Sequence, residues 1–372
     1  MATSASSRPT IVATGSVHLK ELIKEEMAKN GKWCDLNHID VSQVKAMTGL
    51  FEKSQFYGDI SKWDVSNVKT FARMFRLAGF NGDISKWDTS GATCMDGMFE
   101  KSIFTGHISG WDVSNVTSME RMFLGSEFNG NLSGWNVSKV TSMKEMFMHA
   151  AFKGDVSRWD VSSVTNFYSM FQGLRANVDV SRWDVRRGET FAKMFEQSHF
   201  SGDVSNWNVA NGKSFHCMFK NTTFNGDVSK WDVSQGQLFG WMFERSEFNG
   251  AIDGWSMAQA RDLTAMFAKS AFKQDVGSWA IAPSTKLLNL FEDNADGMAA
   301  QTPSIWIARA FVQEHALDPD VDWMPALTEY HRLRSALGLR SEGMKDDVVD
   351  IHRRMATGID AYPLGEMFSQ EP

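Results

Sequence analysis

Carboxylates recur along this chain in two columns, and stacked carboxylates are a possible site for a hard cation. One column is Asp59, Asp83, Asp155, Asp179, Asp203, Asp227 and Asp275, interrupted by His107 and Asn131; the other is Asp64, Asp88, Asp112, Asp160, Asp184 and Asp232. Spaced about 5 Å apart, such groups could collect the six to eight oxygens that calcium wants. The nonapeptide pattern of calcium-binding rolls is absent, however, and Asp or Asn at such places ordinarily caps turn backbone. Lys62, Lys86, Arg158, Arg182 and Lys230 also accompany the second column and neutralise it. Turn capping is therefore the expected role, and no metal is expected. His216 and Cys217 form an adjacent thiol–imidazole pair, but neighbours on a helix point apart. The remaining histidines are scattered, and no nucleophile elbow, P-loop or dinucleotide fingerprint occurs. The sequence offers no catalytic residues and asks for no cofactor.

Basic residues make the sharper candidate. Arg158, Arg175, Arg182, Arg186 and Arg187 gather on a chain whose net charge is −7. They fall where other positions also change: Ala176 stands where the pattern has Phe, and Gly188, Gly212 and Gly236 stand where it has Val. The expectation is a docking patch for an acidic segment of a protein partner. The plainer alternative is a solvated face with a tolerated irregularity.

The elements that hold these residues come from a repeat. Its clearest column is Trp63, Trp87, Trp111, Trp135, Trp159, Trp183, Trp207, Trp231, Trp255 and Trp279, always 24 residues apart. Phe keeps the same step from Phe51 to Phe291, and a second Phe column runs from Phe56 to Phe272 with Ala176 as its one gap. In the unit FTGHISGWDVSNVTSMERMFLGSE, Ile108, Trp111 and Val113 have the spacing of a leucine-rich-repeat strand. Alternation puts Trp111 and Val113 on one face and Asp112 on the other. Val116, Met119, Met122 and Phe123 follow at helical spacing, and Asn129-Gly130 favours a tight turn. The unit thus reads strand, short helix, turn. Ordering an isolated unit costs more backbone entropy than its few apolar side chains return. The units must therefore stack, with the ten tryptophans as structural core of the repeat.

The segments FNGDISKWDTS, WDVSNVTSMERMF and FNGDVSKWDVS resemble the repeats of BspA-like leucine-rich-repeat surface proteins. LKELIKEEMAKNGKWCDLNHIDVSQVKAMTGLF is similar to the usual start of such arrays. The resemblance covers about residues 16 to 291. It implies a solenoid with a role in adhesion or protein recognition, at the cell surface. The fold class expected is an α/β repeat solenoid of leucine-rich-repeat-like strand–turn–helix units with helical N- and C-terminal caps.

The chain divides accordingly into a flexible N-terminus at 1–15, a capping helix at 16–31, the repeats at 32–295 and a helical cap or small docking domain at 296–372. Leu19, Leu22, Ile23 and Met27 line one side of the first helix, and Gly31 stops it. In the last segment, a start signal at Thr302-Pro303-Ser304 precedes stripes through Leu327, Tyr330 and Leu337 and through Val348, Ile351, His352 and Met355. Three distant cysteines exclude a disulfide framework. No export signal or apolar membrane span appears, which reads as a cytoplasmic or non-classically exported chain without membrane insertion. The acidic balance excludes nucleic acid as the general partner. A non-catalytic recognition or adhesion scaffold follows, binding a protein or a glycan. The alternative is a secreted or injected effector, targeted by its repeats and acting through its C-terminal helices.

Overall fold

The computed structural model describes residues 9–274, 276, 278–282, 284–292, 317, 318, 321, 323, 326, 348, 349 and 351–353. Asp275, the 302–304 start signal, Leu327, Tyr330, Leu337 and Met355 lie outside the described residues. Ala326, Val348, Val349, Ile351, His352 and Arg353 have helical backbone. In this segment the Trp323 indole donates to the Asp318 carbonyl at 3.0 Å, and its ring lies 4.6 Å from that of His352. No helix among the described residues is long and apolar enough to cross a membrane.

Each 24-residue unit forms one rung, and the rungs stack in parallel. One unbroken series of bridges joins Ala46, Thr70, Cys94, Ser118, Ser142, Asn166, Thr190, Ser214, Leu238, Asp262 and Lys286, each to the residue 24 positions on. The ladder runs through the segment whose spacing suggested a helix. Over residues 119–125, the N–H groups of Met119, Arg121, Phe123 and Gly125 donate to Ser142, Lys144, Met146 and Met148 of the next rung, at 2.7–3.2 Å. Between them, Met122, Leu124 and Ser126 close tight turns on Met119, Arg121 and Phe123. Half the N–H groups thus bond along the stack, which a helix would not allow.

Arg121 and Gly125 take left-handed φ of 57° and 60° to achieve this. The same two positions are left-handed in rung after rung, as at Glu145 and His149 or Lys193 and Gln197. For a non-glycine residue that conformation costs about 1–2 kcal/mol. Stacked backbone hydrogen bonds offset it.

The segment expected to be a strand, residues 108–113, has no backbone ladder. Trp111 N–H turns back to Ile108 at 3.2 Å, and Val116 N–H turns back to Val113 at 2.9 Å. Neither the expected strand nor the short helix forms in this repeat; the ladder and the turns have exchanged places. Tryptophan links the rungs here instead. Trp111 Nε1–H donates to the carbonyl of Ile84 in the preceding rung at 3.0 Å. Trp63, Trp87 and Trp135 make the same bond, and so do Trp159, Trp183, Trp207, Trp231, Trp255 and Trp279, all at 2.9–3.2 Å. The ten side chains of the column are only 3–5% exposed. They lie in the core, as their spacing predicts, but their role is double: they fill the interior and they satisfy backbone across rungs.

Aromatic stacking completes the interior. Phe75 and Phe99 stack at 5.6 Å between rungs, as do Trp87 and Trp111 at 6.3 Å, while Phe99 meets Phe104 at 4.5 Å within one rung. Farther along, Trp207, Trp231 and Trp255 continue the pile, with centroids 6.3 and 6.4 Å apart. Trp159 and Trp183 lean instead on Phe147 and Phe171, at 6.1 and 5.8 Å.

The first rung is covered by two elements. Strand β1 (Ile11–Val12) pairs in parallel with β2 (Ile39–Asp40). The pairing, with Ala13 wholly buried, corrects the expectation of a flexible segment up to residue 15. Helix α1 (Ser16–Asn30) buries Leu19 and Ile23 and packs Leu22 and Met27 against the core. Gly31, at φ 79°, ends it. Ser16 spends its hydroxyl on the Ala46 carbonyl at 2.6 Å, which ties α1 to the stack.

Candidate recognition surface

With the interior so uniform, the outward columns are where rungs differ. The first carboxylate column caps turns: Asp83, Asp155, Asp179, Asp203 and Asp227 accept from the N–H of the serine two residues on, at 2.8–3.0 Å. Those backbone bonds, with the serine hydroxyls, hold the carboxyls below the usual range. Asp88, Asp112 and Asp232 do likewise with Ser90, Ser114 and Ser234, the hydroxyl being the larger cause. Among the described residues no three metal-ligating side chains cluster.

The arginines are distributed rather than pooled. Arg158 and Arg182 are exposed and stand one rung apart in the same column. Each lies close enough to its own rung's aspartate, Asp155 or Asp179, to help hold it ionised. Arg186 grips Asp184 with two bonds, Nε to Oδ1 at 2.8 Å and Nη2 to Oδ2 at 2.6 Å. Arg187 is exposed beside it. Arg175, also exposed, belongs to another column, that of Gly79, Ile103 and Glu127. The structure thus places Arg158, Arg182, Arg186 and Arg187 on the Trp side, interleaved with carboxylates, and sets Arg175 apart in sequence register.

The accompanying irregularities have a packing cause. A Cβ added at Gly188, Gly212 or Gly236 would lie 2.2–2.5 Å from the ring of Phe191, Phe215 or Phe239. Those rings stand where Met119 and Met143 stand in earlier rungs, behind Val116 and Val140. Glycine with phenylalanine thus replaces valine with methionine, while Val68 with Phe71 and Val164 with Phe167 are buried together in two other rungs. Ala176 follows the same logic. From Gly82 to Gly250, the glycine two residues after Phe has space for no Cβ, the Phe ring being 2.6–2.9 Å away. Where Phe becomes Ala176, that glycine becomes Val178, and Leu174 fills a position held by Ser or Ala in neighbouring rungs; both are buried. The changes beside the arginines are core repair.

Four overlapping segments, residues 19–127, 102–199, 126–223 and 191–304, match the family described as "Mycoplasma protein of unknown function, DUF285". The chain belongs to this family. Two of the matched segments are offset by 24 residues, one rung. No curated protein matches the chain. No solved structure matches it either.

A second variable surface of this DUF285 repeat protein was not visible in the sequence, because it lies on the ladder. Arg76 bridges Glu52 at 2.7 Å and Glu100 at 3.0 Å, binding three consecutive rungs. Farther along the column, Gln172 donates to Glu196 at 2.9 Å and Lys220 pairs with Glu244 at 2.6 Å. Burial pushes the Glu196 carboxyl up, with Lys193 and Lys220 pulling it back. Beside it, burial aided by Glu196 pushes the Cys217 thiol up to about 12, so it stays protonated at neutral pH. Burial and Lys193 hold neighbouring His216 down. A buried, protonated thiol is a poor nucleophile. The column one residue after Phe51, Phe75 and Phe99 carries charge in two blocks, Glu52, Arg76 and Glu100, then Glu196, Lys220 and Glu244, with Leu124, Met148 and Gln172 between them.

Proposed function

We propose that this chain is a non-catalytic recognition scaffold, a solenoid of the BspA-like kind that binds a macromolecular partner through its outward columns. The observation that carries the reading is the division of labour within each rung. Inward positions repeat Trp, Phe and Met at a few per cent exposure or less. Outward positions such as Lys86, Gly110, Gly134, Arg158, Arg182 and Asn206 change from rung to rung. A stack of this kind holds a variable set of side chains in fixed ranks, which suits an extended binding surface.

On this reading the arginine-bearing face meets an acidic protein segment, with Arg182, Arg186 and Arg187 as contacts and Arg158 and Arg175 at the margin. Adhesion to a surface protein or glycan is the corresponding biological role. The test is an affinity capture with the intact chain and with the Arg182→Glu, Arg186→Glu, Arg187→Glu triple variant, partners being identified by mass spectrometry. Partners lost in the variant place the contact on this face. Partners retained keep the scaffold and remove the arginine face. A chain that captures nothing specific contradicts the recognition reading.

A further inference from the structure

Among the described residues, the most exposed large apolar side chain is Trp33, at 77%. One ring face is stacked on Tyr57, with centroids 4.9 Å apart. So much exposure with one face covered leaves the other face open to water. Tyr57 in turn lies over Gly79, where a Cβ would come within 2.5 Å of its Cε1. The corresponding positions in the next rungs are Ile103 and Glu127, so the seat for the tyrosine ring is local.

Backbone register places more apolar surface beside this pair. Tyr57 N–H donates to Lys32, Gly79 N–H to Ser54, and Leu77 N–H to Glu100. Leu77, two residues before Gly79, is 39% exposed, and Ile103, one rung beyond Gly79, is 44% exposed. Trp33, Tyr57, Leu77 and Ile103 therefore follow one another across successive rungs at one corner of the stack. The corner is rimmed by exposed cations, Lys32, Lys53, Arg73 and Lys101. Lys53 and Lys101 flank Leu77 on the rungs before and after, because Lys53 N–H bonds Arg76 and Leu77 N–H bonds Glu100. The nearby Glu52 and Glu100 are already engaged by Arg76. Among the described residues no carboxylate lies within ion-pair reach of Lys53, Arg73 or Lys101.

We infer that this corner is a docking site for an acidic peptide segment of a protein partner, one that sets an apolar anchor on Trp33 and aspartates or glutamates on the lysine rim. Exposed Trp and Tyr are the residues on which binding energy concentrates, and contiguous exposed apolar surface marks interaction sites. Charge complementarity selects the occupant. The cationic rim attracts an acidic segment, and a symmetric second copy would set one cationic rim against the other. The inference rests on the recognition reading above and adds to it a second site at this corner.

The test selects random 16-residue peptides displayed against the full chain and measures the enriched sequences by fluorescence polarisation. Sequences with an aromatic or leucine anchor between acidic residues are expected. Their affinity should fall at least tenfold in Trp33→Ala and in Lys53→Glu with Lys101→Glu, and hold in the triple arginine variant. Trp33 is exposed, so its variant should keep the wild-type melting temperature. Enriched peptides without acidic residues, or undiminished binding to either corner variant, would overturn the inference. So would a chain dimer, or retention on phosphatidylserine vesicles, that Trp33→Ala abolishes while peptide binding persists. Peptides lost only in the arginine variant would sink the corner and leave the scaffold standing. No enrichment at all would sink both.

Discussion

The indole N–H of Trp135 donates to the carbonyl oxygen of Ile108, 27 residues back, at 3.1 Å. This bond explains why the column is tryptophan in every rung from Trp63 to Trp279, whereas the first rung has Ile39. On this side of the rung the backbone makes only local turns, and the indole is the group that reaches the rung before. Phenylalanine would fill much of the volume but lose the bond between rungs, leaving the Ile108 carbonyl only the Trp111 N–H of its own rung, at 3.2 Å. Trp135→Phe should therefore cost about 0.5–1.5 kcal/mol for the lost hydrogen bond. Urea denaturation reads this directly. A loss near zero would mean that the indole bond contributes nothing to holding the rungs.

Gly212 and Phe215 form a matched pair. Gly212→Val puts a side chain where a Cβ alone would be 2.5 Å from the Phe215 ring. Overpacking of this kind costs about 1–3 kcal/mol. Adding Phe215→Met restores the combination present at Val140 and Met143, and should recover most of the loss. Additive effects in the double-mutant cycle would show that the two positions are not coupled.

Ala176 makes the converse case. Ala176→Phe regularises the repeat on paper, yet it should destabilise the protein, because Val178 occupies the space that glycine leaves for the ring elsewhere. The triple change Ala176→Phe, Val178→Gly, Leu174→Ser should restore a melting temperature near that of the wild type. A stabilising single substitution would contradict the packing account.

The repeat and its interior columns were legible in the sequence, since a side chain recurring every 24 residues can be buried only by stacking. Which segment carries the ladder was not. Met119, Met122 and Phe123 sit three and four apart in a helix and equally in a ribbon of turns. The deciding partners, Ser142 and Lys144, are a rung away and invisible to local periodicity. The same limit hid Arg76 between Glu52 and Glu100, and Trp33 on Tyr57. The trades of Val–Met for Gly–Phe were written in the repeats and needed only to be taken jointly. Among the arginines, the sequence could not show that Arg186 is held by Asp184.

Acid should loosen the stack gradually. Asp83, Asp155, Asp179, Asp203 and Asp227 have their carboxyls held down by serine N–H groups in the folded chain. A depressed folded value means the stabilisation is complete above the unfolded value, about 3.9, and is lost as pH falls through the folded values below it. These carboxyls are solvent-exposed, so each contribution is small and the column acts through number. Denaturation midpoints should stay level at neutral pH and fall steadily below about pH 4. Replacing Asp155, Asp179 and Asp203 together with Asn, which caps the same turn at Asn131, should flatten that fall. An unchanged slope would remove these aspartates from the acid response.

The central claim is that 24-residue rungs stack in strict register and so hold the outward side chains in fixed ranks. Pulsed dipolar spectroscopy tests it most directly, with spin labels on one exposed column at Lys45 and either Lys213 or Arg261, in a chain whose three cysteines are replaced. At about 4.8 Å per rung, seven and nine rungs predict narrow distributions near 34 and 43 Å, before allowance for the label arms. Broad distributions, or distances that do not grow with the number of rungs, would contradict the stack and the recognition surface built on it.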